Sequence, residues 1–331
     1  MADLESIFKR DYTLSLMSPD PVRETPFWTS GAFNSDGRIS ALINAKTQTF
    51  EVPAINELDA KVEPNYSNYK FSDHSVPRSI GGWKMNGRMA YLNESWWEGD
   101  LEKLLTLESP LEAIAKQVTG YWAEEAEQRA VATVAGIYNY DQANGKNITT
   151  EGTGSFDPRT FLTAESKMKK KYRGKGAIVL HPDVAMELRL AKLLIPFTDP
   201  TNLTAVETYN GRTVIESYDN TKVGAGNNLR YISYLVNQNA FAAESVAGQK
   251  DLELARDPSA GNGGGVTVLH TRRNMLIHPM GFSFVLPESE LTGGTKNQSI
   301  SANWKDLTRA DAWALSTPDV KNVPFHFVVT K

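Results

Sequence analysis

The chain has 331 residues, of which 40% are hydrophobic and 22% charged, with a formal net charge of −4. That length suffices for one large or two modest domains with a proper core, and the mild acidity provides no global field to draw in nucleic acid. With no cysteine in the sequence, disulfide staples, thiolate metal sites and cysteine catalysis are excluded, which fits a reducing compartment or an assembly that avoids redox chemistry.

The first residues, MADLESIFKRD, are charged and carry no apolar core of a signal peptide, so a cytosolic origin is expected. No uninterrupted apolar run reaches the roughly 18 residues that a membrane span needs. Residues 1–45 read as an irregular arm, because Pro19, Pro21 and Pro26 break any helix after LESIFKRDYTL. Yet Phe27, Trp28, Phe33, Ile39, Leu42 and Ile43 are too apolar for a free tail. Such an arm needs a surface, and if its own molecule cannot supply one a neighbour must.

Residues 46–96 read as a long two-stranded excursion in which Pro53, Pro64 and Pro77 confine the strands to edges. Its tip sets Tyr66, Tyr69 and Phe71 among Asn, Ser and Asp, a mix suited to an interface. About 50 residues is long for an ordinary surface loop, so a protrusion packed on another subunit is expected. A short helix from about Trp97 to Leu105 should follow.

Ser109 to Tyr138 reads as a single helix of roughly 43 Å. Ser109 and Glu112 make a Ser-x-x-Glu capping box around Pro110 at the first helical position. Leu111, Ile114, Val118, Tyr121, Trp122, Ala126, Ala130, Val134 and Ile137 recur at spacings of three and four, which gives one apolar stripe. Glu124, Glu125 and Glu127 fall off the stripe and are expected in solvent. A helix this long in a strand-rich chain is a spine.

Beyond it, Asp157-Pro158 caps a helix through RTFLTAESKMKKKYRG, ended by Gly174, and GAIVLHP is a buried strand. DVAMELRLAKLLI is a helix that stops at Pro196, and RTVIESYD and RYISYLV are strands. SAGNGGG separates this α+β region from two further β segments, VTVLHTRRNMLIHPMGFSFV, then a short helix within SANWKDLTRADAWALS and a closing strand, PFHFVVTK.

Little in this pattern carries catalysis. The five histidines, His74, His181, His270, His278 and His326, show no i, i+4 pair and no HExxH, and structural roles are expected for His181 and His278. GxSxG is missing, and GNGGG lacks the lysine of a phosphate loop. No catalytic, cofactor or metal site is expected. Lys169, Lys170 and Lys171 offer a weak phosphate contact, against which stands a solvated helix end whose cations complement the dipole.

The order of parts resembles the major capsid protein of tailed double-stranded DNA bacteriophages, with the Hong Kong 97-type fold. The resemblance rests on Gly99-Asp100 with Ser109-Pro110-Leu111 before the spine, on Ile178 through Val184, and on Tyr209 through Val214 followed by Tyr231 through Leu235. Arg273, His278 through Phe282, and Trp304 extend it to the closing segment. It implies an α+β fold with an N-terminal arm (1–45) and an extended loop (46–96). A peripheral domain with the spine (97–140 and 262–300) and an axial domain (141–261 and 301–331) complete it. It further implies hexamers and pentamers that form an icosahedral head around double-stranded DNA, contacted non-specifically. The implied partners are a separate scaffolding protein, a portal and, in some members, decoration proteins, with no membrane and no cofactor. Phe27, Trp28, Phe33, Tyr66, Tyr69 and Phe71 are then the expected subunit interface. Two alternatives stay open: an encapsulin-like compartment of the same fold, and a small-ligand-binding enzyme using residues 157–240.

Overall fold

The computed structural model describes residues 25–34, 48–56, 58, 61–100, 110–145, 147–198, 205–218, 221–292 and 301–331. The expected capping box lies outside them, since Ser109 and the Glu112 side chain are not described. The expected arm is described only at residues 25–34, where a short helix α1 (Pro26–Thr29) precedes strand β1 (Phe33–Asn34).

The extended loop is a hairpin of β2 (Thr49–Ile55) and β3 (Gly82–Arg88), paired from Thr49 opposite Arg88 to Ile55 opposite Gly82. After Met89 the chain runs on as β4 (Ala90–Gly99). Trp97, expected to start a short helix, instead pairs with Val268 in β4; Asp100 is helical, and residues 101–105 of that expected helix lie outside the described residues. The spine helix α2 (Pro110–Asn144) is 35 residues long and continues past Tyr138.

Two sheets flank this helix. One has four strands in the order β1–β12–β13–β4, built on the long β12 (Phe241–Asp257) and β13 (Val266–Pro279). Residues 241–257, assigned from sequence to the axial part, are thereby paired with the strand after GNGGG; the register slips between Ala247 and Leu252. The other sheet has eight strands. Its central strands are β6 (Ala177–Leu180), β9 (Arg212–Glu216), β11 (Arg230–Val236) and β16 (Phe325–Thr330). β5 (Thr149–Glu151) flanks β16, and β10 (Lys222–Val223) pairs with β11. On the far side, β7 (Ile195–Thr198) pairs only with β8 (Ala205–Tyr209) along the path of the sheet. Pro196 therefore sits on an edge strand, where its missing N–H costs no ladder bond.

The central strands are apolar on both faces because both are covered. On one face Val179, Ile232, Tyr234, Phe325 and Phe327 join the core of Val134, Ile137 and Tyr140 from α2. On the other, Ile178, Leu180, Leu235 and Val328 pack against helices α3 (Pro158–Lys167) and α4 (Pro182–Leu190). α3 ends seven residues before Gly174, and the basic run continues as a short 3₁₀ turn at Lys170–Tyr172.

The single apolar stripe expected for the spine holds only towards its beginning, where Val118, Trp122 and Ala126 meet Leu269 and Met275 of β13. From Ala130 to Ile137 every residue is buried. Helix α5 (Trp304–Thr308) and β15 (Trp313–Leu315), paired with β14 (Phe282–Phe284), lie against the side away from the sheet. Gly136 permits that approach: a Cβ there would fall on the Leu307 carbonyl and the Trp313 indole nitrogen.

Candidate assembly surfaces

Glu127 anchors the amino-terminal segment. Expected in solvent, it is buried, and its Oε1 and Oε2 accept the N–H groups of Phe27 at 2.8 Å and Trp28 at 3.2 Å. Those are orphan donors of the first turn of α1, and a carboxylate there also meets the positive end of the helix dipole. Phe27 is fully buried, edge-on to Tyr234 at 5.4 Å between centroids. Its assignment to a subunit interface is therefore corrected: the chain's own core covers it. Phe33 is half-buried, stacked between Trp28 at 4.8 Å and Phe241 at 5.1 Å, and Trp28 keeps 37% of its surface exposed.

The neighbouring carboxylate, Glu125, is also only half free. It accepts from Trp304 Nε1 at 3.1 Å and lies beside the buried Arg129, whose Nη2 donates to the Ala302 carbonyl at 2.9 Å. Burial raises the Glu125 pKa against the pull of Arg129. Burial likewise lowers that of Arg129.

The loop tip behaves as the opposite kind of surface. Tyr69 and Phe71 are fully exposed and Tyr66 is 74% exposed, with Val76 and Ile80 beside them. The tip is nevertheless folded on itself. Asn68 Nδ2 donates to Asp73 Oδ2 at 2.6 Å, Tyr66 Oη to Glu63 Oε1 at 3.1 Å, and the Asp73 N–H to the Lys70 carbonyl at 3.2 Å. Tyr69 is held at a positive φ of 59°, unfavourable for a side chain with a Cβ. Polar bonds thus fix a turn whose rings point outward, with a large apolar area left uncovered.

The position of this tip follows from strand continuity. β4 runs beside β13 as far as Gly99 opposite Val266. β3 extends the other way, past the end of β13, where Asn86 N–H donates to Ser283 Oγ at 2.9 Å. At about 3.3 Å per residue, roughly 56 Å of strand separates the hairpin end at Gly82 from the far end of β4 at Gly99. At that far end Trp97 is 57% exposed, on the face opposite Trp96, which packs against the spine at Tyr121.

The basic run has more company than its sequence suggests. Lys170 and Lys171 are exposed, Lys169 is half-buried, and Lys171 Nζ stands 4.9 Å from the Tyr172 ring centroid. The turn is pinned by a feature with no motif in the sequence, the fully buried Arg212. Its Nε donates to Glu165 Oε1 at 2.8 Å and its Nη2 to the Tyr172 carbonyl at 3.0 Å; Nη1 reaches the Lys175 carbonyl. Glu165 in turn accepts from the Gly174 N–H at 3.0 Å and from Asn210 Nδ2 at 3.2 Å.

The histidines hold structure locally. His181 Nδ1 accepts the Asp183 N–H at 3.2 Å at the start of α4, and His326 Nε2 lies 2.8 Å from Thr150 Oγ1. Among the described residues no group of three or more His, Asp and Glu side chains could hold a metal ion, and no helix is long and apolar enough to cross a membrane.

No protein-family model matches the chain. Over 295 residues it is 25% identical to the major capsid protein of Bacillus phage SPP1, covering 84% of this chain and 86% of that protein. Among solved structures, the head of Helicobacter pylori bacteriophage KHP40 is similar over the whole of both chains, with a TM-score of 0.54 at 10% identity. The capsid of cyanophage Pam1 is similar over 84% of this chain and 94% of its own, with a TM-score of 0.53 at 11% identity. An encapsulin complex from Synechococcus elongatus shares the fold over 99% of this chain and 95% of its own, with a TM-score of 0.50 at 10% identity. Sequence likeness to a phage major capsid protein thus runs along most of the chain, and its fold is that of phage capsid structures, the Hong Kong 97 type.

Proposed function

We propose that the chain assembles as hexamers and pentamers into the icosahedral head of a tailed phage around double-stranded DNA, with the extended loop of each copy lying on the next. The observation that carries this reading is the loop tip: a turn hydrogen-bonded within itself that exposes Tyr66, Tyr69 and Phe71. A loop of one copy lying on the body of the next joins two different surfaces, so the contact is head-to-tail. Head-to-tail contacts repeat, and they close into rings when the rotation allows. Trp28, Phe33, Tyr66, Tyr69 and Phe71 form the proposed interface; Phe27 instead anchors the arm from within.

The proposed partners are a separate scaffolding protein, a portal, the packaged DNA and decoration proteins, and assembly takes place in the host cytoplasm. The proposed division into arm, loop, peripheral and axial parts takes the spine and the four-stranded sheet as the peripheral part, which moves residues 241–257 out of the axial part, and the eight-stranded sheet as the axial part. The test is light scattering with negative-stain microscopy of the purified chain, alone and with the products of adjacent genes. Closed shells, rings or tubes are expected; a compact monomer at high concentration with the scaffold present overturns the reading. The second reading, a compartment, is favoured by the encapsulin likeness alone. Purified shells that hold protein cargo and no nucleic acid would select it.

A further inference from the structure

Where the spine, β13 and the root of the extended loop meet lies a cavity of about 20 Å³ that none of the assembly surfaces above uses. Thr133 of α2 and His278 of β13 line it, exposing 0% and 3% of their surface. Thr133 Oγ1 and His278 Nε2 are both buried without a hydrogen-bond partner among the described residues. A mid-helix threonine can turn its hydroxyl back to the carbonyl one turn earlier, and Thr133 does not. Two buried orphans on the wall of one cavity are costly unless something between them satisfies both. We propose that the cavity binds one water molecule, which bridges the Thr133 hydroxyl and the His278 imidazole.

The occupant follows from size and chemistry. A water needs on the order of 10–15 Å³, so the cavity has room for one water-sized guest and for no larger ligand. That guest must donate as well as accept. Burial keeps His278 neutral, and its bond to the Phe282 backbone, which raises its pKa, is one in which the ring donates to the carbonyl. With Nε2 unpaired, the donor is Nδ1–H, and Nε2 of the neutral ring is an acceptor. A water gives one O–H to Nε2 and accepts the Thr133 O–H. Arg88 and Arg129 line the cavity too, but each has its own partner: Glu288 Oε2 at 3.4 Å for Arg88, and the Ala302 carbonyl at 2.9 Å for Arg129. Two guanidiniums repel a cation, and their existing partners remove the call for an anion, so a neutral guest suits them. Because Arg88 ends β3, the water sits where loop root, spine and β13 are held together. The site needs one chain only and is independent of shell formation.

The test combines a structure of the dispersed full chain, at a resolution that shows ordered water, with urea unfolding of Thr133→Val. Density for one water within about 3.2 Å of both Thr133 Oγ1 and His278 Nε2 is expected. Valine keeps the shape and helix propensity of threonine while removing the hydroxyl. In a hydrated site the change leaves the water a partner short, and the unfolding equilibrium constant should rise about tenfold. In a dry cavity the same change removes an orphaned polar group and leaves stability equal or higher. The density decides by itself if the variant does not fold. An empty cavity, a direct bond between Thr133 and His278, or a valine variant as stable as the parent would each overturn the proposal.

Discussion

Glu165 and Arg212 form a buried ion pair whose side chains expose 7% and 0% of their surface. Burial lowers the Arg212 pKa, with Glu165 pulling it back up. Breaking such a pair leaves a buried charge unpaired, so Glu165→Ala should cost roughly 3–5 kcal/mol in urea unfolding. Glu165→Leu combined with Arg212→Met should cost clearly less. An equal loss in both would show that packing, not the orphaned charge, sets the cost. The buried imidazoles predict a pH dependence. Burial lowers His278 to about 4, and burial with nearby Lys167 and Arg212 lowers His326 to about 3, from the ordinary histidine value of 6.5. Below 6.5 the unfolded chain takes up protons that the folded chain refuses. The stabilisation is thus full above 6.5 and is lost as pH falls from 6.5 towards 4 and 3. Unfolding free energy measured across that window should decline, and His278→Gln should flatten the slope. Glu127 and Arg212 were illegible as sites for one reason. A carboxylate off an apolar stripe, or an arginine after Asn-Gly, looks solvated until the fold brings its partner, a hundred residues away for Glu127 and 47 for Arg212.

At the level of elements, periodicity found the spine, the buried strand at 177–180 and the Gly-rich turn before β13. It failed where two periods fit. Ser95-Trp96-Trp97 suits a helix start as well as an alternating strand, and pairing with Val268 to His270 decides for the strand. β12 was missed because its residues 244–257 are largely polar and slip register midway. The spine's all-round burial depends on an element almost two hundred residues later, which a stripe cannot show. Gly136 is the contact point. Gly136→Ala should raise intrinsic helix propensity by about 1 kcal/mol yet destabilise the protein by roughly 1–3 kcal/mol, because α5 and Trp313 must move. A rise in melting temperature on that substitution would show that the packing yields at little cost.

For the whole molecule, two well-covered sheets around one helix coexist with a hairpin that ends in uncovered rings. The sequence signalled that contrast, since Tyr66, Tyr69 and Phe71 stand among turn-forming polar residues. It could not tell an arm residue buried at home, Phe27, from one left outside. On the proposed function, the extreme exposure of the tip is covered by a neighbouring copy. The most direct test replaces Tyr66, Tyr69 and Phe71 together by serine and compares parent and variant by melting temperature and electron microscopy. Because these side chains lie outside the chain's own core, the variant should melt with the parent yet form no shells, rings or tubes where the parent does. A variant that assembles as readily as the parent would contradict the account.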